Sequence, residues 1–226
     1  MPSPRLVLVR PRDPNNIGAA ARAAANFGVS DLRVVAPHPP VWREAKSAVG
    51  ATALLRRARE CATLQEALEG CGEVYGTTSM KGRRAVARVW DLPDWRPRTP
   101  FAVVFGPEKT GLTAEDLTHC TALIRVPTTS EVPSMNLGQA VAVVAYEWRR
   151  KEGGVPAAGP APAPSEVRER LAAVALEAAS AAGHRDGLDA DERLRRLRAA
   201  LARWGVTTEE AGMLTAMVSR VRSALR

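Results

Sequence analysis

Roughly the first 150 residues alternate short β-rich runs with stretches of helical periodicity, and no other feature narrows the fold as far. Such alternation specifies an α/β domain, a mostly parallel sheet with helices on both faces. Strands are expected at residues 6–10, 32–36, 73–77, 101–105 and 123–126. Helices are expected at 17–27, stopped by Gly28, and through 52–68. A short one should start at Thr113, with Asp116 closing a capping box, and another should run from Asn136 to Lys151.

After Lys151 the composition changes to Gly153-Gly154-Val155-Pro156 and then alternating Pro and Ala up to Pro164, a semi-stiff linker. Residues 152–164 thus separate a domain at 1–151 from a small helical extension at 165–226. Helices are expected there at 165–182, 190–204 and 207–225. Leu194, Leu197 and Leu201 give one apolar stripe, and Met213, Leu214, Met217, Val218 and Val221 another.

A chain of 226 residues that is 46% apolar buries a sizeable core, which excludes disorder throughout. The net charge of +8 creates a field that attracts phosphate backbones or other polyanions. Cys61, Cys71 and Cys120 form no CxxC pair and have no His at metal spacing. Neither a metal site nor a disulfide framework is expected, and a reducing cytoplasm is the default. The first strand begins almost at Met1, with no apolar signal core after it. No stretch approaches the length of a membrane span.

Three segments carry chemistry, each where a strand ends and open parallel sheets present ligand sites. The first is Asn15-Asn16-Ile17-Gly18-Ala19-Ala20-Ala21-Arg22, in which Asn16 is placed to cap a helix. Among small apolar residues, the Arg22 guanidinium either reaches solvent or holds an anion. The second is Phe105-Gly106-Pro107-Glu108-Lys109-Thr110-Gly111-Leu112. Its glycines let a ligand approach the backbone. The third runs from Val126 through Ser134, Met135 and Asn136 to Leu137 and Gln139, a hydroxyl-rich loop entering a helix. Gln139 is placed to close a capping box with Asn136.

Together these segments resemble the three signature motifs of the SPOUT superfamily of methyltransferases, in the branch that methylates RNA ribose 2'-hydroxyls. Asn16, Gly18 and Arg22 match the first motif, Gly106, Glu108 and Gly111 the second, and Ser134, Asn136 and the following helix the third. Order and spacing agree over about residues 5–150. Pro14-Asn15-Asn16-Ile17-Gly18 and Tyr146-Glu147 are most similar to bacterial and archaeal enzymes that methylate nucleotide 32 of the tRNA anticodon loop. Pro107 departs from them, standing where they usually carry Arg, and so does Met135, where Leu is commoner.

The resemblance implies a C-terminal trefoil knot, with the segment at 128–136 threaded through an earlier loop. It implies a cytoplasmic homodimer and bent S-adenosyl-L-methionine (SAM) as the cofactor, held by Thr77, Thr78, Ser79, Phe105, Gly106, Glu108, Gly111, Val126, Met135 and Leu137. In the dimer the last knot helix packs on its mate, and Val141, Val143, Val144 and Trp148 make that helix apolar enough to be buried. The family's proposal makes Arg22 the group that removes the hydroxyl proton. A guanidinium stays protonated, so binding the adjacent phosphate and stabilising the developing alkoxide is the alternative. Asn16, Glu108, Ser134 and Asn136 then position Arg22 and the substrate, and no metal takes part.

RNA contacts are expected at Arg56–Arg57–Arg59, Lys81–Arg83–Arg84 and Arg149–Arg150–Lys151, each equally readable as a solvated face. Trp42, Trp90 and Trp95 are read as packing residues rather than base-stacking platforms. Ribosomal RNA is the rival substrate, since such enzymes share all three motifs. The early first strand favours tRNA, because some ribosomal RNA enzymes place an RNA-binding domain ahead of the catalytic one. A non-catalytic RNA-binding protein on the same scaffold is the rival from another class, and the presence of Arg22 and Asn136 argues against it.

Overall fold

The structure, a computed structural model, describes residues 3–38, 42–79, 88–98, 100–151, 160–184 and 186–224. Its centre is a sheet of β1 (Arg5–Val9), β2 (Asp31–Val35), β3 (Arg59–Cys61), β4 (Glu73–Thr77), β5 (Arg88–Asp91), β6 (Phe101–Phe105) and β7 (Ala122–Arg125). The strand order is β3-β2-β1-β6-β4-β7-β5, and every neighbouring pair is parallel. The central strands β1 and β6 are apolar at nearly every position because both faces are covered, whereas β2 alternates, with Asp31 and Arg33 half-buried. Leu6, Leu8, Val103 and Phe105 point into one core while Val7, Val9, Ala102 and Val104 point into the other.

The first face carries α1 (Pro14–Asn26), α2 (Thr52–Arg57) and α5 (Leu137–Lys151). The second carries α3 (Leu64–Leu68) and α4 (Ala114–Thr118). Alanines make the buried stripe of α1 shallow, so α5 approaches closely; a Cβ on Gly138 would lie 2.8 Å from the Ala19 Cβ. Gly18 plays the same part against the segment at 45–48, where a Cβ would lie 2.2 Å from Ser47 Oγ. Trp42 and Trp95 are core residues, and Trp90 is half-buried with the Arg88 guanidinium 3.5 Å from its ring centre.

The continuous helix expected at 52–68 is not there: it is α2, the strand β3, and α3. Ala58 turns extended, which brings Cys61 beside Val35 at the sheet edge. Thr63 then starts a new helix, accepting from Glu66 N at 3.1 Å, while the Glu66 carboxylate accepts from Ala62 N at 2.9 Å. Nor is Asn16 the cap of α1. Asp13 is, followed by Pro14 in the first turn, so the helix starts earlier than expected and the Asn16 side chain is released for other partners. The capping box at Thr113 and Asp116 is present, as is the left-handed Gly28 at φ 78°.

Beyond the sheet, α6 (Ser165–Ala181), α7 (Ala190–Trp204) and α8 (Thr208–Ala224) enclose a core of their own around Leu171, Leu201, Val206 and Ala211. Leu194, Leu197 and Leu214 pack against it, but Met213, Met217 and Val221 are more than half exposed, so only part of the second stripe is buried. The buried Arg168 ties α6 to the sheet, donating to Gly72 O at 2.5 Å and Ala163 O at 3.1 Å. No described helix is long and apolar enough to cross a membrane.

Candidate active site

A cleft of about 370 Å³ opens where β4, β6 and β7 end. All ten residues expected to hold the cofactor line it: Thr77, Thr78 and Ser79 after β4, Phe105, Gly106, Glu108 and Gly111 after β6, and Val126, Met135 and Leu137 after β7. Ser134 lines it as well. Lys109, Thr110, Ile124, Thr128, Pro133, Ala140 and Val144 complete most of the wall without having been expected to hold the cofactor. Several of them lie inside or beside the named segments, so strand-end position was the available signal.

One chain of hydrogen bonds joins the three segments at the edge of this cleft. A carboxylate only accepts, so Glu108 fixes the amide of Asn16, whose Nδ2 donates to Glu108 Oε1 at 2.7 Å. Asn16 Oδ1 is thereby turned to Asn136, which donates from Nδ2 at 2.9 Å. Asn136 Oδ1 in turn accepts from Gly138 N at 2.9 Å and caps α5, and Gln139 Oε1 accepts from Asn136 N at 3.3 Å. An amide is needed at both middle positions because each must donate to one neighbour and accept from the other.

The loop between β6 and α4 is held tight. Gly111 N donates to Pro107 O at 2.8 Å, and Gly111 itself lies in the left-handed region at φ 64°. A Cβ on Gly106 would stand 2.4 Å from both Gly111 C and Leu112 N. Behind the loop, Arg10 forks onto Asp116, with Nη1 to Oδ1 at 3.0 Å and Nη2 to Oδ2. Burial would raise the Asp116 carboxyl, but the Arg10 fork and the Thr113 hydrogen bonds outweigh it and hold it below the usual range. Arg10 adopts φ 46°, a left-handed backbone for a non-glycine residue, secured by its N–H to Val35 O at 2.8 Å and by the fork. No motif pointed to Arg10 or Asp116 as supports of this loop.

Arg22 does not join this assembly. It follows Asn16 by six residues on α1, about 240° around a helix, and it is exposed with no ion-pair partner among the described residues. The helix α5 buries Val141, Val144 and Trp148, and half-buries Val143, against this chain's own core. Its exposed apolar side chain is Tyr146, 53% exposed and edge-on to Phe27. Of the basic clusters, Arg56 and Arg57 are exposed, whereas Arg59 pairs with Glu66 at 2.8 Å. Arg150 pairs with Glu147 at 2.6 Å, and Lys151 donates to Leu92 O, Pro93 O and Trp95 O. Lys81, Arg83 and Arg84 lie outside the described residues. All three cysteines are buried and free.

The cleft suits a nucleoside-bearing ligand with a polar tail. Phe105, Val126, Met135 and Leu137 offer apolar walls, Thr77, Thr78 and Ser79 offer hydroxyls, and the Gly106 and Gly111 backbone is uncovered by side chains. A model of the SpoU rRNA Methylase family matches residues 3–146, and the chain belongs to that family. Among curated relatives, it is 41% identical over 157 residues to the tRNA (cytidine/uridine/adenosine-2'-O-)-methyltransferase TrmJ of Pseudomonas aeruginosa (strain UCBPP-PA14), covering 64% of this chain and 60% of that one. The chain therefore spans about 60% of that relative's length. Among solved structures, TrmJ from Z. mobilis ZM4 superposes with a TM-score of 0.83 at 32% identity, covering 96% of this chain and 98% of that one. A structure described as giving insight into the 2-OH methylation of C/U34 on tRNA matches with a TM-score of 0.54 at 28% identity, over 68% of this chain and 93% of that one.

Proposed function

We propose that this protein transfers a methyl group from SAM to a ribose 2'-hydroxyl of tRNA, at nucleotide 32 of the anticodon loop. The observation that carries the reading is the hydrogen-bond chain Glu108–Asn16–Asn136–Gly138, which unites three distant segments beside a cleft lined by every expected cofactor residue. The Pseudomonas aeruginosa relative, a tRNA (cytidine/uridine/adenosine-2'-O-)-methyltransferase, supports tRNA as the substrate. Catalysis is assigned to residues 1–151 and an accessory role to the helices at 165–226.

Bound in the cleft, SAM supplies an electrophilic methyl group on a sulfonium centre. The protein's part is to align the ribose oxygen and to favour loss of its proton. Phe105, Gly106, Val126, Met135 and Leu137 receive the adenosine portion, and Thr77, Thr78, Ser79 and Gly111 complete the enclosure. Glu108, Asn16 and Asn136 keep the loops at 106–112 and 134–137 in register, and Ser134 faces the substrate at the rim. Arg22 binds the phosphate beside the target ribose and stabilises the developing alkoxide while the hydroxyl proton leaves to that phosphate or to water, because a guanidinium that stays protonated serves better as a charge than as a base.

Arg22 acts on the cleft of a second copy in a homodimer. Its exposure, its lack of an ion-pair partner among the described residues and its distance around α1 from Asn16 support this. The exposed Tyr146 beside Phe27 is the apolar part of that interface. The segment from Thr128 to Asn136 is the threaded part of a trefoil knot, consistent with its course from β7 on the inner sheet to α5 against α1. The setting is the cytoplasm.

Nucleotide 34 is the second reading, favoured by the 28%-identical neighbour concerned with C/U34. Ribosomal RNA is the third, favoured by the family's name. Incubating the protein with SAM and unmodified tRNA, then mapping nucleosides by nuclease digestion and mass spectrometry, separates these. A 2'-O-methyl group at 32 is the expected result; one at 34 replaces the position, and none in tRNA overturns the substrate.

A further inference from the structure

The short helix α4 leaves directly from the loop that walls the cleft. Leu112 lines the cleft, Thr113 caps the helix and Asp116 closes the cap. Charged contacts hold α4 from two sides. From the sheet comes the Arg10 fork on Asp116. From the helical extension comes Arg198 of α7, whose Nη1 donates to Glu115 Oε1 at 2.5 Å while its Nε lies 2.9 Å from Glu169 Oε1 on α6. Glu169 also faces His119 Nδ1, at the C-terminal cap of α4, at 3.4 Å.

The side chains of Arg198, Glu169 and His119 are only 13%, 13% and 10% exposed, so their contacts are poorly screened by water. Burial pushes the Glu169 carboxyl up, but His119 and Arg198 outweigh it and keep it below the usual range. Arg193 and Arg196 are occupied locally, with Asp186 at 2.5 Å and with Glu192 at 2.9 Å, while Arg195, 41% exposed, pairs with Glu192 and reaches Glu115 only at 3.8 Å. Arg198 is thus the extension's buried charged link to the helix that follows the cofactor loop.

We propose that α6 and α7 set the position of the loop at 106–112 through Arg198 and Glu169, which act as positioning residues for cofactor affinity although neither lines the cleft. This rests on the reading of the cleft as a SAM site. The loop has no slack to absorb a shift of α4, since the Gly111–Pro107 hydrogen bond and the bare Gly106 already bring backbone against backbone. An extension remote from the chemistry therefore reports its docking to the cofactor site.

The test compares the full chain with Arg198→Ala, Arg198→Lys, Glu169→Gln and, as a control, Arg193→Ala. Calorimetry gives the Kd for SAM, filter binding the Kd for tRNA, and steady-state assays kcat and KM for SAM. Arg198→Ala should raise the SAM Kd and KM about 3- to 10-fold while kcat and tRNA affinity stay within about twofold. Arg198→Lys should recover part of the loss, Glu169→Gln should weaken SAM in the same direction, and Arg193→Ala should match wild type. If Arg198→Ala fails to fold, Arg198→Lys and Glu169→Gln carry the comparison. Unchanged SAM affinity, loss confined to tRNA, or an equal loss in Arg193→Ala overturns the proposal. A wild-type chain that binds no SAM removes the reading of the cleft itself, and this proposal with it.

Discussion

Replacing Asn16 by Asp tests the hydrogen-bond chain in a single atom. The new carboxylate would sit where Nδ2 now lies 2.7 Å from Glu108 Oε1, while its other oxygen still accepts from Asn136. Three effects compete. Two carboxylates about 4 Å apart repel by roughly 1 kcal/mol in water and 4 kcal/mol at a protein-like dielectric, and these half-buried groups lie toward the lower end. The lost hydrogen bond costs a further ~1 kcal/mol. Against this, an acidic residue in the first turn of α1 gains ~0.3–1 kcal/mol from the helix dipole. The net cost is ~1–2 kcal/mol at pH 7, a fall of roughly 2–8 °C in Tm for a chain of this size. Combining it with Glu108→Gln restores a donor to the new carboxylate, so the double variant should melt at or above wild type. Scanning calorimetry and SAM titration of the four proteins measure all of this. A single variant indistinguishable from wild type, or one that Glu108→Gln makes worse, would refute the reasoning.

Gly106→Ala forces a Cβ against the Gly111 and Leu112 backbone at 2.4 Å, and such overpacking costs ~1–3 kcal/mol. SAM affinity should fall at least about tenfold, and titration showing an unchanged Kd would contradict the tightness assigned to this loop. Glu147 is held at about 2, first by Arg150 and then by Lys151, against the opposing pull of burial. A depressed carboxyl contributes stability above its ordinary range near 4.5 and loses it as the pH falls toward about 2. Glu147→Gln should therefore lower Tm at pH 7 and narrow its gap to wild type in acid, as thermal melts across pH would show. Arg168→Met strands the carbonyls of Gly72 and Ala163 and should cost ~2–4 kcal/mol in denaturant unfolding with little change in kcat.

The inner sheet was legible because β1, β6 and β7 are largely apolar runs and β2 and β4 each hold β-branched or aromatic residues between turn signals, and the three motif segments fall where β1, β6 and β7 end. The edge strands were not legible. β3 reads Arg-Glu-Cys, with only Cys61 buried, and pairs through its backbone, so neither periodicity nor propensity marks it. The same three residues broke a helix that 52–68 otherwise suggested. Asn16 looked like a cap because caps and active-site amides use the same side chain, and only the fold shows that Asp13 takes the cap. The Arg10–Asp116 fork spans 106 positions and carries no local signature. Likewise, Val141, Val144 and Trp148 were legible as buried but not as buried within their own chain.

The central claim is tested most directly by following labelled methyl from SAM into tRNA and into ribosomal RNA, for wild type and Arg22→Ala. Because Arg22 is exposed and lines no part of its own cleft, the variant should keep its Tm and its SAM affinity. The account predicts label in the tRNA anticodon loop with wild type and its loss, by about 100-fold or more, with Arg22→Ala. Label confined to ribosomal RNA, or transfer undiminished in the variant, would contradict it.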